Sequence, residues 1–213
     1  MKLWSGTLSP FSAKVRIALA EKGIPHDVAE IPWRRETLWG PKPQAFLDVS
    51  PKGEVPVLED GGLAIVDSTV INEYLEEAYP EVPLMPQGAL ARAACRMWED
   101  QADWFMANHI TTLIREVFMK PDGAGRDDDA VGASLGAFSG YLDALEARLS
   151  TQDYLCEAYS VADIATWMCL TFAQTLGVAV GDRAGLQGWY ERVAARPVIK
   201  AELDMVMGAA AVA

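Results

Sequence analysis

The sequence predicts a small α/β layer with a mixed sheet, followed by a bundle made only of helices. Three observations predict it. Strand and helix signals alternate through the first ~80 residues. Prolines 80, 83 and 86 then punctuate the chain. Beyond them strand signals end and long apolar-periodic runs take over. The domains expected are therefore 1–79, a linker over 80–88, and a helical part over 89–213.

Lys2 to Ser5 reads as a short strand. Ser9-Pro10 opens a helix carrying Val15, Ile17, Ala18 and Leu19, and Lys22-Gly23 closes it. Serine caps, proline needs no amide partner at the first helical position, and glycine suits the stop. His26 to Ile31 is a second strand, parallel to the first if the helix is the crossover. A loop rich in Trp, Arg and Pro runs from Pro32 to Pro43, and Gln44 to Val49 forms a short helix. Val55-Pro56-Val57-Leu58 and Leu63-Ala64-Ile65-Val66 flank Asp60-Gly61-Gly62, a hairpin with a glycine turn. Asp67-Ser68 starts a helix with Val70, Ile71, Tyr74 and Leu75. After the prolines, Leu90 to Phe118 is one long helical pattern, broken by Pro121-Asp122-Gly123. Asp129 to Leu149 places Leu135, Phe138, Leu142, Leu145 and Leu149 on one face. Ala162 to Leu176 is apolar nearly all round, hence central and buried. Shorter helices follow over Leu186 to Ala194 and Val198 to Val206.

Composition narrows the function. The 213 residues carry 30 acidic and 18 basic side chains, a net charge of -12, which argues against a nucleic-acid partner. No run approaches the roughly 20 apolar residues of a membrane span, and the first residues do not read as a signal peptide. Cys95, Cys156 and Cys169 fit no metal motif and read as buried thiols in a reducing cytoplasm. His26 and His109 are too few and too far apart for a metal site, so none is expected.

Three features fit one small anionic peptide. Ser9-Pro10-Phe11-Ser12 sits at a helix start, where unpaired amides favour an anion and a hydroxyl can donate to a thiolate. Val55-Pro56, with a cis bond at a sheet edge, would turn the Val55 backbone outward to pair with an extended ligand. Asp67-Ser68 starts another helix: Ser68 suits a carboxylate and Asp67 an ammonium, the two ends of an α-amino acid. Taken alone, each has a plainer reading. Ser9 is a helix cap, Pro56 an edge proline, and Asp67 or Ser68 an N-cap.

Together these segments resemble a known family. Ser9-Pro10-Phe11-Ser12-Ala13-Lys14-Val15-Arg16-Ile17-Ala18-Leu19-Ala20-Glu21-Lys22-Gly23 is similar to the opening helix of serine-type cytosolic glutathione transferases. Ser50-Pro51-Lys52-Gly53-Glu54-Val55-Pro56-Val57-Leu58 and Asp67-Ser68-Thr69-Val70-Ile71-Asn72-Glu73-Tyr74-Leu75 resemble their central signature. Tyr159-Ser160-Val161-Ala162-Asp163-Ile164 resembles the capping element of their helical domain, and Ala195-Arg196-Pro197 their final turn. The resemblance implies an α/β thioredoxin-like N-terminal domain and an all-α helical-bundle C-terminal domain. It also implies glutathione as co-substrate, Ser9 holding its sulfur, and detoxification as the role. Val55 with cis Pro56 falls on the cysteinyl clamp, Asp67 and Ser68 on the γ-glutamyl site, and Lys42 on a lysine that meets the glycine carboxylate in some classes. Ser12 competes with Ser9 for the sulfur, and Ser9 is preferred because it holds the cap position. Asp163 falls on a buried structural acid, in a capping box with Ser160. Two positions depart from the pattern: Asp67 stands where glutamate is common, and Glu54 where Gln or Lys is usual.

No cysteine occupies the opening motif, which argues against thiol exchange; the nucleophile comes with glutathione. The electrophile's pocket is expected between the domains, with Leu8, Phe11, Trp104, Phe105, Asn108, His109 and Thr112 as candidates. Trp104, Asn108 and Thr112 fall four apart, as on one helix face. Trp33-Arg34-Arg35 with Trp39 reads as a solvent-exposed loop that packs on a partner subunit, or else as the lining for an anionic aromatic. The same motifs suit a glutathione-dependent lyase, dehalogenase or isomerase, or a non-catalytic binding protein. A cytoplasmic homodimer is expected, from the resemblance and from the apolar residues of the 69–79 helix.

Overall fold

The computed structural model describes residues 1–34, 38–120 and 124–210. Two compact units result: Met1–Leu84 with Arg196–Ala213, and Met85–Ala195.

In the first unit β1 (Lys2–Ser5) lies between β2 (Asp27–Glu30) and β5 (Val57–Asp60), and β6 (Leu63–Val66) completes the order β2-β1-β5-β6. Leu3 and Trp4 point to opposite faces and both are buried, which suits a central strand covered on both sides. β1 runs parallel to β2 and antiparallel to β5, the mixed sheet the sequence predicts. The crossover is α1 (Pro10–Glu21), capped by Ser9, whose Oγ accepts the Ser12 amide at 3.2 Å. Gly61 (φ 55°) and Gly62 (φ 85°) make the two-residue β5–β6 turn, which needs positive φ at both positions. α2 (Gln44–Val49) and α3 (Ser68–Ala78) complete this layer.

Several expectations are corrected here. β5 begins at Val57, so Val55-Pro56, joined by a cis bond, precedes the strand and removes no ladder donor. The segment read as a loop from Pro32 to Pro43 contains a ribbon, β3 (Trp33–Arg34) paired with β4 (Leu38–Trp39). Trp39 packs against this unit's own core of Trp4, Ile31, Phe46 and Val57 rather than lying in an exposed loop. Arg35 lies outside the described residues, as do Pro121-Asp122-Gly123 and the last three residues.

The linker read over 80–88 is tied down in its first half. Lys22 Nζ, near the end of α1, donates to Val82 O (2.7 Å), Tyr79 O (3.0 Å) and Glu76 Oε2 (2.7 Å), and Glu76 accepts the Leu84 amide. The final helix α9 (Pro197–Ala210), assigned from sequence to the helical part, packs on α1 in the first unit. Arg196 makes a two-pronged bond to Glu21 at its start.

In the second unit α4 (Ala89–Phe105) runs into a π-helical turn (Met106–Ile110), a single α-turn α5 (Thr111–Leu113) and a second π-helical stretch (Ile114–Met119). The one continuous pattern read from Leu90 to Phe118 is thus interrupted twice. α6 (Asp128–Leu149), α7 (Val161–Thr175) and α8 (Ala184–Ala194) follow. Phe138, Leu142, Leu145 and Leu149 are buried as expected, but Leu135 is exposed. α7 is buried without a break from Val161 to Leu170, which bears out its central place. Among the described residues no helix is long and apolar enough to cross a membrane. All three cysteines are free and buried.

Candidate active site

Sheet register places the three peptide-fitting features at one end of the first unit. Trp4 pairs with Val57, and Val57 with Val66. Those residues span two strand spacings, about 10 Å. Ser9 follows Trp4 by five residues, Val55 precedes Val57 by two, and Ser68 follows Val66 by two. An extended tripeptide reaches about 10 Å.

Ser9 stands where β1 turns into α1. Its amide donates to Gly6 O at 2.9 Å, and its Oγ accepts the Ser12 amide, an arrangement in which a hydroxyl keeps its proton to donate elsewhere. Ser12 is fully buried and its Oγ accepts the Gly6 amide at 3.2 Å, so it faces inward. Leu8 and Phe11, half-buried, flank Ser9.

Asp67 adopts φ 76°, the positive φ of a non-glycine residue, which costs about 1–3 kcal/mol and persists where the surroundings enforce it. Its Oδ1 accepts the Thr69 (2.9 Å) and Val70 (3.2 Å) amides, capping α3. Ser68, buried, is the first residue of α3. Thr69 Oγ1 accepts from Lys14 Nζ at 3.3 Å, tying α3 to α1. Lys42 Nζ lies over Gly53, where an added Cβ would stand 3.2 Å away, beside the segment leading to Val55.

The candidates in the helical unit lie at the end of α4 and in the turns that follow it. Trp104 is 53% exposed, but Asn108 Nδ2 donates back to Trp104 O and Thr112 Oγ1 to Asn108 O. The π-helical turn Met106–Ile110 lies between Trp104 and Thr112, and both of these bonds reach back four residues. Phe105 stacks on Tyr141 at 4.2 Å between centroids and tilts against Phe138, a core role. His109 sits edge-on to Trp104, with Nδ1 3.3 Å from Ser134 Oγ. Burial lowers its pKa, which favours the neutral ring. Nε2 is buried with no partner among the described residues. Among the described residues no group of three or more acidic, His or Cys side chains could hold a metal ion.

Sequence reasoning missed Arg16. Its Nη1 donates to Ser5 Oγ (2.6 Å) and Gly6 O (3.0 Å), its Nη2 to Thr7 O (3.1 Å), and its Nε to Glu202 Oε2 (3.1 Å). Arg16 and Glu202 are 186 positions apart, and a lone Arg in a helix carries no signal of such a partner. Asp163, by contrast, is the buried structural acid anticipated: with Ser160 it forms the capping box at the start of α7.

A thioredoxin-like mixed sheet with its helices, followed by a helical unit, is the fold of the glutathione transferases. Comparison with known proteins agrees. Residues 3–83 match the glutathione S-transferase N-terminal domain and residues 105–197 its C-terminal domain. Glutathione S-transferase F14 of Arabidopsis thaliana is 31% identical over 207 residues, covering 92% of this chain and 80% of its own. A glutathione S-transferase from Rhodospirillum rubrum F11 superposes with a TM-score of 0.80 at 30% identity, covering 95% of this chain and 91% of its own. Beta-etherase LigF from Sphingobium sp. strain SYK-6 superposes at 0.78 with 26% identity, covering 95% and 98%. The chain belongs to the glutathione S-transferase family, and it is a glutathione transferase.

Proposed function

We propose that Ser9 donates its hydroxyl proton to the glutathione sulfur, holding it as thiolate for attack on a hydrophobic electrophile. The observation that supports this is the register that pairs Trp4 with Val57 and Val57 with Val66, so that the segments carrying Ser9, Val55 and Ser68 all leave one end of the sheet. The sulfur falls to Ser9 rather than Ser12, whose hydroxyl is turned inward to Gly6. Val55 pairs through its backbone with the cysteinyl unit. Asp67 and Ser68 receive the γ-glutamyl end, and Lys42 the glycine carboxylate. A hydrogen bond to the charged form lowers the thiol's pKa and raises the nucleophile's share at neutral pH. Leu8 and Phe11 beside Ser9 are the electrophile contacts assigned to the first unit. Trp104, Phe105, Asn108, His109 and Thr112 are the candidates in the second, with neutral His109 able to donate or accept a hydrogen bond. Glutathione, without a metal, is the co-substrate, and the enzyme acts in the cytoplasm.

Ser9→Ala is expected to bind glutathione but to titrate its thiol at higher pH, followed by ultraviolet thiolate absorbance. Ser68→Ala should weaken retention on immobilised glutathione. An unshifted titration in Ser9→Ala would move the sulfur's partner elsewhere.

A second reading has support from one relative. LigF is named a beta-etherase, so ether cleavage by the same thiolate is the alternative reaction. Product analysis separates the two: conjugation of an aryl halide leaves glutathione in the product with loss of halide, whereas ether cleavage releases a phenol.

We also propose a two-fold homodimer. On α3 only part of the expected apolar face is available: Val70 is exposed, while Ile71 and Leu75 are buried. Val66, at the end of β6, is exposed as well. Light scattering should give twice the chain mass; a monomer at micromolar concentration would refute the dimer.

A further inference from the structure

We propose that Arg16, braced by Glu202, is the positioning residue that sets where Ser9 stands. This rests on the reading of Ser9 as the partner of the sulfur.

Ser5, Gly6 and Thr7 lead from β1 towards Ser9, and Arg16 holds all three from one side. Gly6 O accepts both Arg16 Nη1 and the Ser9 amide, so guanidinium and serine share one carbonyl. The same stretch is held from other directions. Glu30 Oε1 accepts the Thr7 amide (2.7 Å) and Thr7 Oγ1 (2.9 Å), and Ser12 accepts the Gly6 amide. The Trp39 ring fills the place a Gly6 Cβ would take, 2.2 Å away, so only glycine fits.

Arg16 is held in turn by α9. Glu202 receives Nε and Nη2 in a two-pronged pair, with the two side chains only 10% and 5% exposed. A planar fork with five donors can serve two carbonyls, a hydroxyl and a carboxylate at once. A lysine ammonium offers three donors from a single point and cannot reproduce that pattern. The C-terminal helix, last in the chain, thereby fixes the turn that carries a residue near its beginning.

A hydrogen bond weakens steeply as its angle and length drift from the optimum. Small displacement of Ser9 therefore shows in the ionisation of the bound thiol before it shows in affinity, which the γ-glutamyl and glycine ends also supply. A mere structural tie would change stability and leave that ionisation alone.

The test uses the full chain as wild type, Arg16→Lys, Glu202→Gln and Ser9→Ala. Three quantities are read: thiolate absorbance of bound glutathione against pH, the glutathione dissociation constant by calorimetry, and thermal unfolding. Glu202→Gln keeps the shape of the pair should Arg16→Lys fail to fold. Arg16→Lys and Glu202→Gln are expected to raise the bound thiol's pKa by about half to one unit, with Ser9→Ala as the upper limit. The dissociation constant should stay within about twofold, a change of only ~0.4 kcal/mol. If Ser9→Ala shifts the titration while neither Arg16→Lys nor Glu202→Gln does, whatever their melting temperatures, Arg16 is a structural tie and the inference fails alone. If Ser9→Ala leaves the titration unchanged, the inference and the reading beneath it fall together.

Discussion

Asp163→Ala is expected to leave the helical unit without a cooperative folding transition. The carboxylate is fully buried and accepts four donors. Oδ1 takes the Leu155 amide (3.0 Å) and Trp189 Nε1 (2.7 Å); Oδ2 takes the Ser160 amide (3.0 Å) and Ser160 Oγ (3.2 Å). The bonds join the segment before α7, the start of α7 and the middle of α8. Alanine would strand all four donors, each at about 1–3 kcal/mol. The sum, about 4–12 kcal/mol, is comparable with the whole stability of an ordinary domain, about 5–15 kcal/mol. Asp163→Asn separates charge and packing from hydrogen bonding. It keeps the volume but turns one acceptor into an NH2 group that faces donors. Its loss should be smaller, about 2–4 kcal/mol, and still cooperative. Urea unfolding followed by tryptophan fluorescence reads both variants. A cooperative Asp163→Ala transition within about 1 kcal/mol of wild type would show that water replaces the carboxylate.

The second large effect is expected at Lys22 and Glu76. Their side chains are 2% and 5% exposed, and they join the end of α1 to the last turns of α3 at 2.7 Å. Breaking a buried pair by removing one partner leaves an uncompensated charge and costs about 3–5 kcal/mol. Lys22→Met is expected at the upper end, because the ammonium also serves Tyr79 O and Val82 O. Glu76→Leu strands the Leu84 amide as well as the ammonium. The double variant Lys22→Met, Glu76→Leu removes both charges and should recover part of the loss. Recovery stays incomplete, because the Leu84 amide and the two carbonyls remain without their partners. Denaturation of the two singles and the double forms a cycle that measures this. Losses below about 1 kcal/mol in both singles would mean that solvent reaches the pair.

Much of the candidate site could be read along the chain because its parts are local. Ser9-Pro10 announces a capped helix through two neighbouring residues, and the structure caps α1 with Ser9 as expected. Gly61-Gly62 announces its turn because two adjacent residues need positive φ. The capping box of Ser160 and Asp163 spans three positions. Other features misled for the same reason. Leu135 matches the apolar period of α6 yet is exposed, because periodicity names a face and not what covers it. Trp39, read as part of an exposed loop, packs on the sheet because the ribbon β3–β4 folds back over Trp4 and Val57.

By itself the sequence determined the main sheet's strands and most of the helices, several of the caps and turns that bound them, and the serine, proline and acidic positions that resemble the family's site. Each depends on residues a few positions apart, where backbone geometry and hydrogen bonding are local. The tertiary structure alone decided that α9 joins the first unit and that Glu202 meets Arg16. It also decided that Glu76 meets Lys22 and that Trp39 closes over Gly6. Those partners are far apart in the chain, and burial and charge pairing choose them only once the strands have set the distances.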